Sequence, residues 1–446
     1  MPTKPPSGTR DFLPADVRRR EYVIGVIRDV YEKYGFEPLE TPAFENIETL
    51  LGKYGEEGNK LIFKILKRGE HESSGEADLA LRYDLTVPLA RVVAQYQSEL
   101  PKFFKRYQIQ PVWRADRPAK GRFREFYQCD VDAIGSTSPV VEAEILGAVS
   151  EVLAKLGFDD FTIRLNHRRA LTALLECAGV PEALHGEALV ALDKLDKIGV
   201  EGVHKELAAR GIDAAAATAC LDFFSGLSKE DPRHPGPLER LREFVKRHHA
   251  GPGAADVLGE IVHLSDGTPA HGHIRIDPSL ARGLSYYTGA IMEIAVPDLA
   301  GSLGGGGRYD NLIGMFLGRD VPACGFSLGL ERIIVVMTER NMFPAAIAAG
   351  GADVLVTIWN ADRRADALAL AGELRAGGLR VEVYPEADKL GKQFKYASGR
   401  NVPFVAVVGD DERERGEVSI KDMRTGEQTP VARAEAAKRI VEWQNR

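Results

Sequence analysis

Residues 103–132 read FFKRYQIQPVWRADRPAKGRFREFYQCDVD, and the rest of the chain is organised around this segment. Its two ends contain QPVWR and REFYQCDVD, which have strand-like patterning. Pro118 and Gly121 mark the middle, ADRPAKGR, as a loop. The segment therefore predicts two antiparallel strands joined by a basic loop.

Basic side chains recur through this predicted hairpin: Lys105, Arg106, Arg114, Arg117, Lys120, Arg122 and Arg124. Guanidinium groups at fixed spacing suit phosphate oxygens, which they can bind bidentately. Because alternate residues of a strand share a face, we expect Arg122 and Arg124 to point together and Phe123 to point away. The loop tip could reach a second polyanion. The alternative is a solvated charged hairpin without a ligand.

The composition narrows the function classes. The chain has 446 residues, 44% of them hydrophobic and 28% charged, which is typical of a soluble globular protein with two or three domains. A net charge of -7 excludes a generic nucleic-acid coat, so any nucleic-acid contact must come from local basic patches. The four cysteines include no CxxC pair, and neither a zinc site nor a disulfide framework is indicated. The sequence has no signal core and no run of about 18 apolar residues, which predicts a cytoplasmic protein without a membrane partner.

Two segments before the hairpin have distinct patterns. A helix is predicted over residues 17–34 and a strand over residues 36–42, FEPLETP, whose proline restricts it to a sheet edge or an interface. This pair is compatible with a dimer contact; the alternative is a helix packed on its own sheet. Farther along, LRYDLT places Asp84 and Thr86 where a strand ends and a helix begins. A carboxylate and a hydroxyl there suit an ammonium group, or they are helix caps.

The pattern changes again after the hairpin. Amphipathic helical stretches replace strands over residues 168–262, which predicts an all-helical insertion. Strand patterning returns at residue 274 and includes four glycines, 304–307, whose spacing fits neither a phosphate-binding loop nor a dinucleotide motif. These glycines let the backbone approach either a ligand or a neighbouring strand. A helix over residues 328–337 places Arg332 near its start, with a carboxylate or a phosphate as its partner.

A small-residue linker, residues 345–352, precedes a segment in which strands and helices alternate. The alternation predicts a small α/β domain around a mixed sheet.

In this order, the motifs resemble those of the histidyl-tRNA synthetases, a family of class II aminoacyl-tRNA synthetases, over nearly the whole chain. FEPLETP is similar to motif 1, residues 107–132 to motif 2, and CGFSLGLERIIVV at 324–336 to motif 3. RGLSYYTG at 282–289 and GGGRYD at 305–310 are similar to two histidine-specific signatures. LRYDLT and GKYG fit the eukaryote-like branch, and the class I signatures HIGH and KMSKS are absent.

The resemblance implies an α+β fold. It implies a class II catalytic domain built on an antiparallel sheet with a helical insertion, followed by a C-terminal α/β anticodon-binding domain. The implied boundaries are 1–166 for the first part of the catalytic domain, 167–265 for the helical insertion, 266–343 for the second catalytic part, 344–352 for the linker and 353–446 for the anticodon-binding domain.

The implied reaction is the ATP-dependent ligation of L-histidine to tRNA(His). The histidine carboxylate attacks the α-phosphorus of ATP to give histidyl-adenylate and pyrophosphate, and the histidyl group then passes to the 3′-terminal ribose of the tRNA as AMP leaves. Positioning and electrostatic stabilisation dominate such chemistry. ATP and Mg²⁺ are the implied cofactors, without assigned protein ligands for the metal. The implied partners are tRNA(His), L-histidine and a second copy of the chain in a homodimer.

The resemblance also implies roles for single residues. Arg114 would hold the α-phosphate, and Arg282 would place a fixed positive charge at the reacting phosphate and carboxylate, which makes both catalytic. Asp132 with Tyr287 would recognise the imidazole. The implied ATP-binding residues are Arg114, Asp116, Arg122 and Arg332; the implied histidine-binding residues are Asp84, Thr86, Gln128, Asp132, Arg282, Tyr286, Tyr287 and Tyr309; and the implied contacts to the tRNA acceptor end are Arg117 and Lys120.

Two positions depart from the family pattern. Asp116 stands where motif 2 commonly has Glu, which puts the details of adenine recognition in doubt. Ser285 stands where the signature RGLDYYTG has Asp, which puts in doubt the hydrogen-bond network around Arg282 or Tyr287.

Three alternatives remain. The first is a catalytically inactive synthetase-like regulatory subunit of ATP phosphoribosyltransferase, although such proteins often lack the C-terminal domain. The second is another class II synthetase, such as the threonyl or prolyl enzyme, which lacks the RGL-YY signature. The third is a structural nucleic-acid-binding protein, which the acidic net charge disfavours.

Overall fold

The computed structural model describes residues 3–69, 74–225, 236–281, 286–344, 347 and 351–444. The chain divides into two compact units, Met1–Asp11 with Arg19–Met342 and Phe12–Arg18 with Phe343–Arg446. The four cysteines are unpaired, and all except Cys177 are buried. No helix in the described ranges is long and apolar enough to cross a membrane.

The first unit is built on an eight-stranded sheet. Its strands and those of a smaller sheet are β1 (Glu37–Pro38), β2 (Phe44–Asn46), β3 (Lys64–Leu66), β4 (Ala77–Leu81), β5 (Phe104–Trp113), β6 (Glu125–Ile134), β7 (Thr162–His167), β8 (Ile274–Ile276), β9 (Ala290–Ala295), β10 (Ser302–Arg308) and β11 (Ala323–Gly329). The large sheet has the order β1-β5-β6-β11-β10-β9-β7-β8, and β2-β4-β3 form the smaller one. The inner pairs of the large sheet are antiparallel, whereas the edge pairs β1–β5 and β7–β8 are parallel. The predicted α+β class is confirmed.

The predicted basic hairpin forms the long pair at the centre of this sheet. β5 and β6 have ten residues each, and they pair antiparallel from Phe104 opposite Ile134 to Trp113 opposite Glu125. Both strands are longer than the sequence pattern indicated, because charged and polar side chains interrupt their apolar alternation. The loop between them, residues 114–124, contains one isolated bridge between Ala119 and Arg122.

The edge strand β1 is shorter than expected. A strand was predicted over residues 36–42, and the structure has only Glu37–Pro38, followed by one more backbone hydrogen bond from Leu39 to Tyr107. Prolines at 38 and 42 lack the N–H group that a longer ladder would need. The prediction of an edge position is confirmed by the sheet order.

Helices cover this framework and fill the connection between β7 and β8. They are α1 (Pro14–Lys33), α2 (Ile47–Leu50), α3 (Gly55–Lys60), α4 (Thr86–Gln95), α5 (Val140–Lys155), α6 (Arg168–Cys177), α7 (His185–Leu192), α8 (Leu195–Ala209), α9 (Ala214–Ser225), α10 (Pro237–Val245), α11 (Gly251–Leu264), α12 (Gly314–Leu317) and α13 (Leu330–Glu339). In α1, Val23, Ile27 and Val30 are buried at helical spacing. Gly35, with φ 75°, follows its end in a conformation that favours glycine.

The segment from α6 to α11 is all-helical in its described residues, as the sequence predicted. The last of its helices, α11, was not predicted, because GPG at its start reads as a loop. Pro252 lies in the first turn, where its missing N–H has no partner to lose. α11 packs against α5 and β7, so it also covers the large sheet.

The second unit contains a five-stranded mixed sheet. Its elements are β12 (Val354–Val356), α14 (Arg364–Ala376), β13 (Val381–Val383), α15 (Leu390–Gly399), β14 (Phe404–Val407), α16 (Asp410–Arg415), β15 (Glu417–Asp422), β16 (Gln428–Ala432) and α17 (Ala436–Gln444). The order is β13-β12-β14-β15-β16, with parallel pairing among the first three strands and antiparallel pairing after them. The predicted mixed sheet is confirmed; β16 and α16, which are polar and short, were not predicted.

Candidate active site

A cavity of about 360 Å³ lies against the large sheet of the first unit. Its lining includes residues of strands β6, β9, β10 and β11, of the loop after β5, and of the start of α4. Of the predicted site residues, the cavity is lined by Asp84, Thr86, Arg114, Asp116, Arg122, Gln128, Asp132, Tyr286, Tyr287, Tyr309 and Arg332. Segments that are up to about 250 residues apart in the sequence thus contribute to one pocket.

Three arginine side chains line the cavity: Arg114, Arg122 and Arg332. Arg114 donates from Nε to the carbonyl of Tyr83 at 3.0 Å, and its guanidinium lies 4.3 Å from the centre of the Tyr83 ring. Arg332 donates from Nη1 to the carbonyl of Ser302 at 2.5 Å. Arg122 is exposed beside them in the loop. Such a group of guanidiniums suits the oxygens of a polyphosphate.

The expectation that Arg122 and Arg124 point together is wrong. Arg122 and Phe123 both line the cavity, whereas Arg124 donates to the carbonyls of Asp116 (3.1 Å) and Ser7 (3.3 Å). Strand alternation does not apply here, because β6 begins only at Glu125.

Asp84 caps a helix, one of the two roles that its sequence position allowed, and it also lines the cavity. Its Oδ1 accepts hydrogen bonds from the N–H of Val87 and the hydroxyl of Tyr54, each at 3.0 Å, so it caps the start of α4. Its Oδ2 accepts from the hydroxyl of Tyr286 at 3.3 Å, and the carboxyl group lines the cavity. Burial raises the pKa of Asp84, and the Val87 N–H and the charge of Arg114 oppose that rise.

Asp132 is held by two partners inside the protein. Arg106 lies 2.9 Å from its Oδ2 in an ion pair whose two side chains are almost fully buried, and the hydroxyl of Tyr309 donates to its Oδ1. Arg106 also donates to the carbonyl of Leu85 and to Gln108, each at 3.3 Å. Burial raises the pKa of Asp132, and Arg106 and Tyr309 act against it.

Asp130 also lines the cavity, although the sequence patterns were not used to predict it as a site residue. Strand alternation places it on the same face of β6 as Gln128 and Asp132, so the pattern itself could have identified it. Its Oδ1 is buried and has no hydrogen-bond partner within the described residues. Burial and, to a smaller extent, the neighbouring charge of Asp132 raise the pKa of Asp130 to about 7 against the opposing charge of Arg106.

The glycines of β10 allow close packing against both adjacent strands. A Cβ atom on Gly306 would stand 2.1 Å from the carbonyl oxygen of Gly325, and one on Gly307 would stand 2.5 Å from that of Ala290. Of the two explanations for this glycine run, close approach to neighbouring strands is therefore confirmed. The same strand lines the cavity, which leaves its backbone accessible to a ligand.

Glu331, beside Arg332, is committed to the fold. Its Oε1 accepts from Arg20 Nη1 at 2.8 Å, and its Oε2 accepts from the backbone N–H of Tyr127 at 2.9 Å. This carboxylate joins α13 to α1 and to β6. Arg332, which follows it, extends into the cavity lining.

The remaining predicted residues are outside the cavity or outside the described chain. Arg117 and Lys120 are exposed on the loop, where Lys120 Nζ lies 2.7 Å from Glu339 Oε1. Arg282 and Ser285 lie outside the described residues. Within the residues that the structure describes, no group of three or more acidic, histidine or cysteine side chains could hold a metal ion by itself.

Comparison with known proteins agrees with this architecture. A family model described as histidyl-tRNA synthetase matches residues 8–333, and one described as an anticodon-binding domain matches residues 353–443. The chain is 42% identical to a histidine–tRNA ligase from Flavobacterium johnsoniae, with 97% of this chain and 98% of that protein covered. It is 43% identical to one from Porphyromonas gingivalis, with 95% of each chain covered.

Solved structures show the same similarity. The crystal structure of histidyl-tRNA synthetase from Nostoc sp. has a TM-score of 0.83 and 30% sequence identity over 99% of both chains. An ATP phosphoribosyltransferase regulatory subunit/histidyl-tRNA synthetase from Bacillus halodurans has a TM-score of 0.74 at 22% identity, which shows a shared fold alone. The match of the family model to most of the chain, together with relatives of more than 40% identity over nearly its full length, shows that this chain belongs to the histidyl-tRNA synthetase family.

Proposed function

We propose that the chain ligates L-histidine to tRNA(His) through a histidyl-adenylate, with the cavity of the first unit as its active site. The observation that carries this proposal is that guanidiniums and buried carboxylates line the same cavity. Guanidiniums suit the phosphates of ATP. Carboxylates and tyrosine hydroxyls suit the ammonium and the imidazole of histidine.

In the first step, the carboxylate of histidine attacks the α-phosphorus of ATP and pyrophosphate leaves. Arg114 is fixed by the Tyr83 carbonyl and ring, so its charge is already oriented when negative charge builds up on the phosphate. Arg122 and Arg332 lie in the same lining, where they would neutralise the outer phosphates. By resemblance, Arg282 adds a further positive charge at the reacting atoms.

The ammonium of histidine would be held by Asp84 and Thr86. Asp84 is preorganised, because three hydrogen bonds fix its carboxyl group before a ligand enters. In the second step, a ribose hydroxyl at the 3′ end of the tRNA attacks the activated carbonyl carbon and AMP leaves. Arg117 and Lys120, exposed on the loop after β5, would contact the acceptor end of the tRNA.

The lining is compatible with Mg²⁺ that enters with ATP. Proteins usually bind Mg²⁺ through one or two carboxylates together with substrate phosphates and waters. Of the two glutamates of the lining, Glu331 is bonded to Arg20 and to the Tyr127 N–H, so Glu293 is the candidate protein ligand. Mg²⁺ would supply neutralisation of phosphate charge.

ATP–pyrophosphate exchange with each of the twenty amino acids tests the proposed activity. We expect exchange with histidine alone. Arg114→Ala should abolish it, because the group that holds the α-phosphate is removed, while Arg319→Ala should leave it unchanged. Arg319 is a suitable control because it is exposed and donates only to Gln97, away from the cavity, in the hydrogen bonds that the structure gives for it. Absence of exchange from folded wild-type protein would instead favour the regulatory subunit.

We also propose a homodimer in which the segment of β1 contributes to the interface. β1 is an edge strand that pairs with β5 on one side. Light scattering at several concentrations would measure the mass in solution, and a mass of one chain at all of them would refute the dimer.

A further inference from the structure

The N-terminal segment, residues 7–10, lies against the loop between β5 and β6. The carbonyl oxygen of Gly8 accepts a hydrogen bond from the backbone N–H of Arg124 at 2.7 Å and a longer one from that of Glu125 at 3.4 Å. The carbonyl oxygen of Ser7 accepts from Nη1 of Arg124 at 3.3 Å. The N-terminal segment is therefore bonded to the last residue of the loop and to the first residue of β6.

This close approach depends on glycine at position 8. Gly8 has φ 85°, a conformation that favours glycine. A Cβ atom on Gly8 would also stand 2.6 Å from Cγ of Arg124, because the Arg124 side chain packs directly over the glycine. From there, Nε of Arg124 donates to the carbonyl of Asp116 at 3.1 Å, near the other end of the loop. Arg124 thus joins both ends of the loop to the N-terminal segment.

Arg10 extends from the same segment to two elements of the cavity lining. Its guanidinium lies 3.4 Å from the centre of the Phe123 ring, which is a favourable position for a cation over an aromatic face. Its Nη2 is 3.6 Å from Oε1 of Glu331, whose side chain is 4% exposed. Phe123 and Glu331 both line the cavity. Arg10 therefore links the loop after β5 to the start of α13.

The two partners of Arg10 are chain neighbours of the two arginines that would neutralise the outer phosphates of ATP. Phe123 follows Arg122, and Glu331 precedes Arg332. Two guanidiniums repel each other until an anion binds between them. Contacts outside the phosphate site must therefore hold the segments that carry them. A single side chain that contacts both segments can fix the spacing of Arg122 and Arg332 before ATP enters.

We propose that the N-terminal segment sets the spacing of Arg122 and Arg332 for the outer phosphates of ATP, and that Arg10 is the positioning residue within it. This role rests on the proposed function, which makes ATP the ligand of these arginines. Arg10 is described by the structure and is not one of the lining residues, so it acts through its two partners and not on the nucleotide. Binding groups that are held in place before the ligand arrives lower the cost of binding.

The test measures three constants in ATP–pyrophosphate exchange: the KM for ATP, the KM for histidine and the inhibition constant of AMP, which lacks the outer phosphates. The variants are Arg10→Ala, Arg10→Lys, which keeps the charge and loses the planar guanidinium, and Gly8→Ala. The matched control is Arg400→Ala in the second unit, which removes the same two kinds of contact, one with the Tyr396 ring at 5.9 Å and one with Glu382 at 3.4 Å. The melting temperature of each variant reports on folding.

For Arg10→Ala we expect the KM for ATP to rise by about 5-fold to 30-fold, the effect of losing one cation–π contact and one partly exposed ion pair. The KM for histidine and the inhibition constant of AMP should change little. Arg10→Lys should show a smaller rise, because a charge remains opposite Glu331. Gly8→Ala should also raise the KM for ATP, because the added Cβ displaces the segment from Arg124. Arg400→Ala should leave all three constants unchanged.

An unchanged KM for ATP in folded Arg10→Ala, or equal rises in the constants of ATP and AMP, would overturn the inference and leave the proposed function intact. A lower melting temperature with all three constants unchanged would do the same, because it would give Arg10 a purely structural role. If Arg10→Ala fails to fold, Arg10→Lys and Gly8→Ala still decide: a rise in the KM for ATP alone supports the inference, and no rise in either refutes it. Wild-type protein that shows no histidine-dependent exchange would overturn the proposed function, and with it this inference.

Discussion

Glu142→Gln tests the buried ion pair that anchors the glycine strand β10. Arg308, at the end of that strand, donates from Nε to Glu142 Oε1 at 2.7 Å and from Nη2 to Oε2 at 2.8 Å. The two side chains are 9% and 1% exposed. Burial by itself lowers the pKa of Arg308, but the hydrogen bond to Glu142 and the neighbouring negative charges together outweigh it and raise that pKa above its ordinary value. Tyr309, the next residue, is one of the two partners of Asp132.

The expected loss of unfolding free energy depends on which partners Arg308 keeps in the Glu142→Gln variant. Breaking a buried ion pair from one side costs about 3–5 kcal/mol. Arg308 retains the Ser136 carbonyl at 2.8 Å and Asp310 at 3.3 Å, which places the expected loss at the lower end of that range. For a unit of about 300 residues, a loss of about 3 kcal/mol corresponds to a fall of about 5 °C in melting temperature.

Scanning calorimetry would measure the transition of the first unit in Glu142→Gln and in Asp298→Asn. The second variant makes the same kind of change in a carboxylate that pairs with Arg340, where the Asp298 side chain is 47% exposed. Exposed pairs contribute little because water already solvates both charges, so we expect no measurable shift for Asp298→Asn. Equal shifts in the two variants would refute the argument that burial decides the contribution of these pairs.

Three further predictions concern the site. Gly306→Ala should prevent formation of the site, because the added Cβ would lie 2.1 Å from the carbonyl oxygen of Gly325. The control variant Gly305→Ala, whose Cβ would have its nearest atom at 3.3 Å, should retain exchange activity. A folded and active Gly306→Ala variant would contradict this prediction. The pKa of Asp130 is raised from 3.8 to about 7, which means that the native state favours the neutral acid. The contribution of Asp130 to the stability of the fold is therefore fully present below pH 3.8 and is lost as the pH rises through 7. Asp130→Asn should therefore be more stable than wild type above pH 7, by up to about 4 kcal/mol in denaturant unfolding, and should lose this advantage at pH 4; equal stability at both pH values would exclude a raised pKa. Lys120→Ala, on the exposed loop, should weaken tRNA charging and leave ATP–pyrophosphate exchange nearly unchanged, and an equal fall in both would place this lysine at the ATP site.

Local patterns predicted most of the secondary structure. Pro118 and Gly121 identified the loop of the central hairpin, and the helical stretches after residue 168 identified the segment between β7 and β8. The elements that the local patterns did not predict correctly also have local causes. α11 begins with GPG, and the prolines at 38 and 42 lack the N–H groups that a longer β1 would need.

The candidate site was harder to predict, because its contacts join distant parts of the chain. The sequence showed a carboxylate at 132 and an arginine at 106, but only the register of β5 and β6, with Arg106 opposite Asp132, brings them together. The same register places Asp130 and Asp132 together on the face of β6 that lines the cavity. Local patterns carry no information about such exclusive pairing, whereas alternation along β6 would have been enough to place Asp130 on the correct face.

The parallel pairing of β7 with β8 limits how far the helical segment between them can be shortened. Adjacent parallel strands cannot be joined by a tight turn, since the chain must travel back along the full strand length before it re-enters the sheet. Of the helices from α6 to α11, at least one is therefore an obligatory return path, and α11, which covers β7 and α5, is the one suited to it. The whole segment therefore cannot be deleted without loss of the sheet edge. We expect a deletion that keeps α11 to preserve the pairing of β7 with β8, and a deletion that joins His167 directly to Ile274 to abolish it.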